Sequence, residues 1–236
     1  MYLSWNKKII TDFSADTITT LYNEGYVFTR IDKGVMNQTR SLRIDLEKFN
    51  LTSENRRILR KTESLELKTE LLPLPNYDWK IGKLAKDFYT EKFGSGTLSA
   101  NKAKELLTDE TKTNFNIFLV YNHFNATEPI GYAICYENNS VLHYCYPFYQ
   151  LLIVNSKLSN VGIGMMLKAI LWAKEQGKKY VYLGSFQRPG DVYKLQFKGL
   201  EWFDGEGWQT DIDTLKDTLS NTLNNVAQKL IIDDDR

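Results

Sequence analysis

The chain has 236 residues, and its 42% hydrophobic and 25% charged residues are typical of a soluble globular protein with one large or two small domains. Its formal net charge of +1 excludes an overall positive field that holds nucleic acid, so any such contact has to come from local basic patches. Two cysteines without a spacing motif and two histidines exclude an ordinary zinc site or a histidine-rich metal site, and the cysteine usage predicts a reducing, cytoplasmic compartment.

The sequence has no pattern typical of a membrane protein. No apolar run approaches the roughly 20 residues that span a bilayer, and residues 1–8 lack the apolar core of a signal peptide. We therefore expect a monomer in the cytoplasm, with no membrane among its partners.

Residues 1–72 predict a small α+β domain with strands near residues 26–30 and 41–44. Thr52 then begins a helix that concentrates positive charge. Four cations lie within two turns of that helix: Arg56, Arg57, Arg60 and Lys61. Since residues four apart share a helix face, these cations either grip the phosphates of a nucleic acid or form a solvated surface.

Two prolines within residues 72–76 predict a linker to a larger domain, residues 73–236. This domain begins with a helix over residues 78–92, a break at 94–96 and a second helix capped by Ser99. Apolar strands follow over 115–121 and 129–136, and a turn at 138–140 leads into an aromatic-rich run from 141 to 154.

The segment after that run has the outline of a phosphate-binding loop. Residues 159–167 are Ser-Asn-Val-Gly-Ile-Gly-Met-Met-Leu, and residues 165–177 predict a helix that ends at a glycine. Glycines allow a close backbone approach, and the free N–H groups at a helix start attract an anion. We therefore expect Val161, Gly162, Ile163 and Gly164 to bind the ligand, with an ordinary tight turn as the alternative.

Aromatic residues crowd the strands on both sides of this loop. Strict alternation predicts Tyr144, Tyr146 and Phe148 on one strand face, either as a stacking platform or as core. A buried strand follows over 180–184, then an aromatic segment over 193–203 and a C-terminal helix over 213–232. The lone histidine of the run, His143, is more typical of a structural residue than of a general base.

Several segments resemble one family in the same order along the chain. They are residues 24–30, 40–44 and 52–61 in the N-terminal part, and 129–134, 144–149, 161–162, 180–184 and 193–197 in the C-terminal part. Over roughly residues 22–210 the chain resembles the arginyl- and leucyl-tRNA–protein transferases, the aminoacyltransferases of the N-degron pathway. The most specific part of this resemblance is a strand that ends in Tyr-Leu-Gly and is followed by Tyr-Lys-x-x-Phe-Lys.

The resemblance implies an α+β fold with an N-acetyltransferase-like (GNAT) mixed sheet flanked by helices. It implies transfer of an amino acid of the Arg or Leu class from aminoacyl-tRNA to the N-terminal α-amine of an acceptor protein. An aminoacyl ester is already activated, so alignment and oxyanion stabilisation suffice. The resemblance also implies that the nucleic acid is tRNA, bound by the four cations Arg56, Arg57, Arg60 and Lys61. We expect no metal and no cofactor beyond the aminoacyl-tRNA co-substrate.

Four residues are the candidates for catalysis: Tyr182, Tyr146, Tyr149 and Lys194. Tyr182 would form hydrogen bonds in the site, with a core position as the alternative. Lys194 would attract an acidic acceptor residue or the tRNA backbone, with an ordinary surface lysine as the alternative.

The chain departs from the family in two places. Residues 32–39 lack the cysteine cluster that the family often carries, so we expect no iron–sulfur or redox switch there. Gln150 occupies a position where the family commonly has an acidic residue, which leaves the transferred amino acid and the acceptor open.

Two other functions remain possible for the chain. One is an acyl-CoA-dependent N-acetyltransferase that holds the pyrophosphate of acetyl-CoA at Gly162 and Gly164; the other is a binding protein without catalysis.

Overall fold

The computed structural model describes residues 3–124, 126–151 and 159–218. In chain order its strands are β1 (Asn6–Ile9), β2 (Tyr26–Phe28), β3 (Val35–Gln38), β4 (Ser41–Asp45), β5 (Leu65–Leu71), β6 (Ile117–His123), β7 (Gly131–Glu137), β8 (Val141–Tyr149), β9 (Tyr180–Ser185), β10 (Leu200–Phe203) and β11 (Trp208–Gln209). The α-helices are α1 (Ala15–Asn23), α2 (Ser53–Lys61), α3 (Trp79–Phe93), α4 (Ala100–Thr108) and α5 (Val161–Glu175). A 3₁₀ helix spans Pro189–Gln196, and residues 212–218 are again helical. The predicted segments 141–154 and 213–232 extend, at 152–154 and 219–232, outside the described residues.

The described strands form an eight-stranded sheet and a three-stranded sheet. In the large sheet the order from edge to edge is β11, β10, β4, β9, β8, β7, β6 and β5. Its neighbouring strands are antiparallel except for β8 and β9, which run parallel and are connected through α5. The small sheet has the order β1, β3, β2 and is antiparallel.

Local sequence signals set the starts of four helices. The side chains of Ser14, Asp78 and Ser99 accept hydrogen bonds from first-turn N–H groups of α1, α3 and α4. Thr52 and Asn55 form a reciprocal capping box at α2. The caps predicted at Thr52 and Ser99 are therefore confirmed.

The fifth helix begins earlier than predicted. α5 starts at Val161, after Asn160 in the left-handed region with a φ of 67° and without a side-chain cap. Gly162 and Gly164 therefore lie inside the first turn of the helix, and the expected loop before Met165 is wrong. The sequence does not indicate this helix start, because two glycines, which are poor helix formers, lie in the first turn.

Side chains pack into one hydrophobic core on each face of the large sheet. α2 and α5 cover the first core, in which Met165, Leu167 and Ile170 of α5 are buried with Ile44 of β4. α1, α3 and α4 cover the second core, where aromatic residues predominate. The large sheet is thus buried between two helical layers, as a mixed sheet with a parallel pair requires.

A bulge in β8 overturns the prediction about its faces. Ile134 of β7 pairs with Tyr146 and the next residue, Cys135, pairs with Tyr144, so Cys145 is the extra residue. Tyr144 consequently belongs to the first core, whereas Tyr146 and Phe148 pack on the second. Strict alternation is wrong here because one inserted residue moves every later side chain to the other face.

Strands from both sides of the predicted boundary at residues 72–73 share the large sheet. β4 lies between β9 and β10, and β5 pairs with β6 along its whole length. The division into 1–72 and 73–236 stays a prediction, and the hydrogen bonds across it join the two parts into one sheet.

The fold class is α+β with a mixed sheet flanked by helices, as predicted. A single parallel pair beside α5, in an otherwise antiparallel array, is the N-acetyltransferase-like arrangement that the resemblance implies. α5 leads from the end of β8 back to the start of β9, so its first turn lies at the edge where both strands end. The start of β4 lies at the same edge, because Ser41 pairs with Ser185.

Candidate active site at the sheet edge

The parallel strands β8 and β9 separate toward their C-terminal ends. Three residue pairs join them, the last being His143 with Tyr182. Beyond this pair, β8 continues to Tyr149 and β9 to Ser185 without pairing to each other. We call the space between these two segments the opening. Backbone groups that face it have no ladder partner from the neighbouring strand, so a substrate can pair with them.

Aromatic side chains and one arginine gather beside the opening. The guanidinium carbon of Arg30 lies 5.6 Å from the ring centroid of Tyr146, within the range of a cation–π interaction. Burial raises the pKa of Tyr89 well above its usual value; the nearby Tyr146 adds to the rise and the charge of Arg30 opposes it. Arg30 is half-buried and makes no ion pair with any described residue, so its charge is available to a ligand.

Tyr149 connects β7, α3 and the first turn of α5. Its ring centroid lies 4.8 Å from that of Phe88. A Cβ atom on Gly162 would lie 3.1 Å from its Cε1, and one on Gly131 would lie 2.9 Å from its Cβ. Burial raises the pKa of Tyr149, so its hydroxyl stays protonated near neutral pH and acts as a hydrogen-bond donor rather than a base.

The first turn of α5 presents backbone N–H groups at this edge. The N–H of Gly164 donates to the carbonyl of Asn160 at 2.8 Å and begins the helical hydrogen bonds. The N–H groups of Val161, Gly162 and Ile163 precede that bond and carry the positive end of the helix dipole. Val161 and Gly164 are buried, whereas Gly162 and Ile163 are half-buried, so a ligand has access to the last two.

The two glycines of this turn have different neighbours. A Cβ atom on Gly164 would lie 2.6 Å from both Oγ1 and Cγ2 of Thr62, the residue that ends α2. Gly164 therefore permits the close packing of α2 on α5. Gly162 instead faces the ring edge of Tyr149. Ligand binding by both glycines stays a prediction, and the packing role of Gly164 is independent of it.

Lys194 is buried, so the alternative of an ordinary surface lysine is wrong. Its Nζ donates to the carbonyl of Ser185 at 2.9 Å and lies 3.3 Å from a carboxylate oxygen of Asp191. Burial lowers the pKa of Lys194, and the charge of Asp191 opposes this effect. The Asp191 carboxylate also accepts from the backbone N–H groups of Gln187 and Arg188, each at 3.0 Å. Lys194 thereby fixes the end of β9 beside the opening.

Tyr182 and His143, the last residues that pair β8 with β9, are buried on the side of α1. The hydroxyl of Tyr182 accepts from Nη1 of Arg43 at 3.3 Å, and burial raises the pKa of Tyr182 to about 12. Nδ1 of His143 lies 2.8 Å from the hydroxyl of Tyr22, and burial lowers the pKa of His143 to about 3. This position favours the core alternative for Tyr182 and a structural role for His143.

The cations predicted to bind tRNA all lie on the exposed side of α2, while Asn55 and Ile58 turn inward. Arg57 forms an ion pair with Glu54 through two guanidinium nitrogens. Three of these four cations make no ion pair with any described residue: Arg56, Arg60 and Lys61. These three are therefore the ones with charge available for phosphates.

The C-terminal end of α2 packs against the first turn of α5. Thr62 follows Lys61 and packs against Gly164. Lys168, four residues after Gly164, shares that side of α5 and adds a further cation. Burial lowers the pKa of Lys168, and Glu66 opposes the effect. Two features predicted separately to bind phosphates thus lie on neighbouring helices, with the cations of α2 on its side away from this contact.

Sequence reasoning missed Arg30 and Tyr89. Arg30 follows β2 in an irregular connection, and Tyr89 faces inward from α3, so no periodic pattern singles out either residue. Their proximity depends on the packing of α3 over β8. Gln150, where the family commonly has an acidic residue, donates from Nε2 to the carbonyl of Pro129 at 3.2 Å.

Residues 3–124, 126–151 and 159–218 contain neither a cluster of metal ligands nor a helix that could span a membrane. In these ranges no group of three or more His, Cys, Asp or Glu residues could hold a metal ion. No helix in the same ranges has both the length and the apolar character to cross a membrane.

No protein-family model matches the chain. An aspartate/glutamate leucyltransferase from Ruegeria pomeroyi is 27% identical to it over 178 residues. The match covers 73% of this chain and 62% of the leucyltransferase, so the chain spans less than two thirds of that relative's length. This similarity confirms the resemblance to the leucyl- and arginyltransferases that the sequence predicts.

Solved structures give more distant likenesses. An L-PGS from Bacillus licheniformis has a TM-score of 0.46 and 12% identity, over 85% of this chain and 68% of that one. FemX has a TM-score of 0.45 and 9% identity, over 78% of this chain and 66% of that one. TM-scores this low support no conclusion about this chain, so its fold assignment depends on the sheet topology described above.

Proposed function

We propose that the chain transfers an amino acid from an aminoacyl-tRNA to the N-terminal α-amine of an acceptor polypeptide. The observation that carries the proposal is that α2, whose exposed side carries four cations, packs beside the uncapped first turn of α5. That turn lies at the same sheet edge as the opening between β8 and β9. Together they offer exposed cations and free helix N–H groups to a phosphate chain, near an opening bordered by Tyr146 and Tyr149. The similarity to an aminoacyltransferase supports the same chemistry.

The nucleic acid binds along α2 and α5. Arg56, Arg60 and Lys61 contact phosphates of the acceptor arm, because they are exposed and have no competing ion pair among the described residues. The N–H groups of Gly162 and Ile163 bind a phosphate closer to the aminoacyl end. The aminoacyl ester then lies in the opening, next to Tyr149.

The transfer forms an amide bond and breaks the ester bond to the terminal ribose. The neutral amine attacks the ester carbonyl, and the tetrahedral oxyanion collapses by expelling the ribose oxygen. That oxygen takes up the proton that the amine loses. The hydroxyls of Tyr149 and Tyr146 donate hydrogen bonds to the oxyanion, which is the group that needs stabilising in an otherwise activated substrate.

The acceptor has an acidic first residue in this proposal. Arg30 is a half-buried cation beside Tyr146 and has no anionic partner among the described residues, so an Asp or Glu side chain would neutralise it. Lys194 is less suited to this role because Asp191 already neutralises it. The leucyltransferase relative, whose name specifies aspartate and glutamate, supports acidic acceptors and favours leucine over arginine as the transferred residue.

The direct test is incubation of the protein with charged total tRNA and peptides that begin with Asp, Glu or Ala, followed by mass spectrometry. We expect the Asp and Glu peptides to gain the mass of one leucine and the Ala peptide to remain unchanged. Uncharged tRNA is the control, and acetyl-CoA is a parallel arm. An acetyl mass from acetyl-CoA, without aminoacyl transfer, would establish the acetyltransferase alternative.

Variants separate tRNA binding from acceptor recognition. Alanine at Arg56, Arg60 and Lys61 together should weaken tRNA binding and lower its salt dependence by about one unit per lost phosphate contact. Arg57→Ala, which removes a cation already paired with Glu54, should change tRNA binding much less. Arg30→Gln should reduce kcat/KM for Asp and Glu peptides about tenfold or more while tRNA affinity stays unchanged. A loss of tRNA affinity in Arg30→Gln would contradict its assignment to the acceptor.

A further inference from the structure

Arg40 carries a buried charge that no described residue balances. It immediately precedes β4, and 8% of its surface is exposed. Its Nε is fully buried without a hydrogen-bond partner, and no ion pair joins Arg40 to any described residue. Burial lowers the pKa of the Arg40 guanidinium, and no neighbouring charge contributes to that shift.

The other buried arginine of the described chain shows how a guanidinium is normally accommodated. Arg43 forms an ion pair with Glu201 at 2.8 Å, and its guanidinium carbon lies 3.9 Å from the ring centroids of both Tyr180 and Trp208. These contacts offset the cost of removing the ion from water. Arg40 makes none of them, although it lies only three residues away in the sequence.

Arg40 lies at the sheet edge where the opening ends. Its carbonyl accepts from the N–H of Phe186, directly after β9, at 2.8 Å. The next residue, Ser41, pairs with Ser185, whose carbonyl accepts from Lys194. The Oγ of Ser41 is also buried without a partner. Two successive residues therefore hold unpartnered donors close to the segment that Lys194 fixes.

We propose that Arg40 binds a phosphate group of the nucleic-acid substrate at this edge of the sheet. A guanidinium donates two parallel hydrogen bonds to phosphate, and the phosphate charge offsets the burial of the cation. Because the opening lies at the same edge, the phosphate belongs to the last nucleotides before the aminoacyl group. The nucleic-acid source of the phosphate rests on the proposed function, whereas the phosphate site itself does not.

Thermal unfolding of the full chain tests the phosphate site. Sodium phosphate is compared with sodium chloride and sodium acetate at equal pH and ionic strength. The Tm of the wild type should rise saturably with phosphate, by about 3 to 6 °C at ten times Kd. Arg40→Leu should be at least as stable as wild type in chloride and should lose the response. Arg57→Leu, the matched change at an exposed arginine paired with Glu54, should keep it.

Three results would overturn the inference. They are a wild type without a phosphate response, an Arg40→Leu variant that keeps the response, and a response to acetate as large as that to phosphate. If Arg40→Leu fails to fold, a second measurement on the wild type tests the phosphate site. In an isotope-labelled wild-type sample, the arginine Nε–H signal that disappears in Arg40→Lys should shift saturably with phosphate. An unchanged signal would mean that Arg40 binds no phosphate.

A short single-stranded RNA ending in CCA distinguishes the two sources of phosphate. It should compete with inorganic phosphate in the wild type, and Arg40→Leu should weaken its binding about tenfold. A phosphate response without competition by the RNA would overturn the nucleic-acid source. Amino-acid transfer by a wild type that shows no phosphate response would refute the Arg40 site and leave the proposed function standing. A phosphate response in a protein that transfers no amino acid would refute the proposed function and leave the Arg40 site standing.

Discussion

The paired half and the separated half of β8 and β9 use the same residue types differently. In the paired half, Tyr182 and His143 are buried, and burial shifts both of their pKa values against ionisation. In the separated half, Tyr146 and Tyr149 are half-buried and lie against Arg30 and the first turn of α5. Tyr182 therefore serves the core, whereas Tyr146 and Tyr149 border the candidate site.

Two register irregularities mark the change from one half to the other. Cys145 is the extra residue of β8, and the pairing of β4 with β9 shifts between Leu42 and Arg43, opposite Leu183. Bulges bend a strand and redirect its side chains, and they occur frequently next to active sites. The opening begins where both irregularities lie, so the backbone, more than residue identity, separates core from site.

The largest expected effect comes from breaking the paired half. Tyr182→Ala removes a ring whose centroid lies 4.7 Å from that of Tyr22, so the free energy of unfolding should fall by about 3 to 5 kcal/mol. Tyr146→Ala should cost about 1 kcal/mol of unfolding free energy and reduce transfer strongly, because its ring is half-buried beside the opening. Urea unfolding and transfer assays on both variants check this. Equal stability losses would show that the two halves do not differ in this way.

A smaller contrast is expected between the two glycines of α5. Gly164→Ala should lower the free energy of unfolding by about 1 to 3 kcal/mol, because the new methyl group would overlap Thr62. Gly162→Val should leave stability nearly unchanged and abolish transfer, because its side chain displaces Tyr149 and blocks the approach to the helix start. Calorimetry and the peptide assay measure the two effects. A fully active Gly162→Val protein would show that this glycine has no role in substrate binding.

The smallest effect concerns the pH dependence of stability in the paired half. The folded-state pKa of His143, about 3, lies below its ordinary value of 6.5, so between these values the unfolded chain binds more protons. The contribution of His143 is complete above pH 6.5 and is lost as the pH falls toward 3, at no more than about 1.4 kcal/mol per pH unit. His143→Asn should flatten this slope in denaturant titrations between pH 6.5 and 4.5. The same slope in both proteins would assign the dependence to other groups.

Local sequence signals predicted those parts of the fold that depend on local physics. Thr52 and Ser99 identified the starts of two helices because their side chains cap N–H groups a few residues away. The strand over residues 180–184, together with the resemblance of the chain to the aminoacyltransferase family, predicted the mixed sheet. The early start of α5 was missed, because two glycines, which are poor helix formers, occupy its first turn.

The candidate site was less predictable because its residues meet only through tertiary structure. The bulge at Cys145 depends on register with β7, which the sequence of β8 alone does not contain. Arg30 reaches Tyr146 from a connection far away in the chain, and Lys194 becomes buried through its contact with Ser185. Spacing rules apply within one helix or strand and give no information about contacts between residues of different elements.

The insertion of β4 between β9 and β10 has a consequence for synthesis on the ribosome. β4 (Ser41–Asp45) emerges early, but its partners Tyr180–Ser185 and Leu200–Phe203 follow only after most of the chain has been made. At about 5 to 20 residues per second, this delay lasts roughly 7 to 30 seconds. During that time the apolar side chains of Leu42 and Ile44 lack both neighbouring strands. The nascent chain therefore presents an unpaired strand of the kind that chaperones bind, and we expect yield to depend on chaperones more than the stability of the finished protein does.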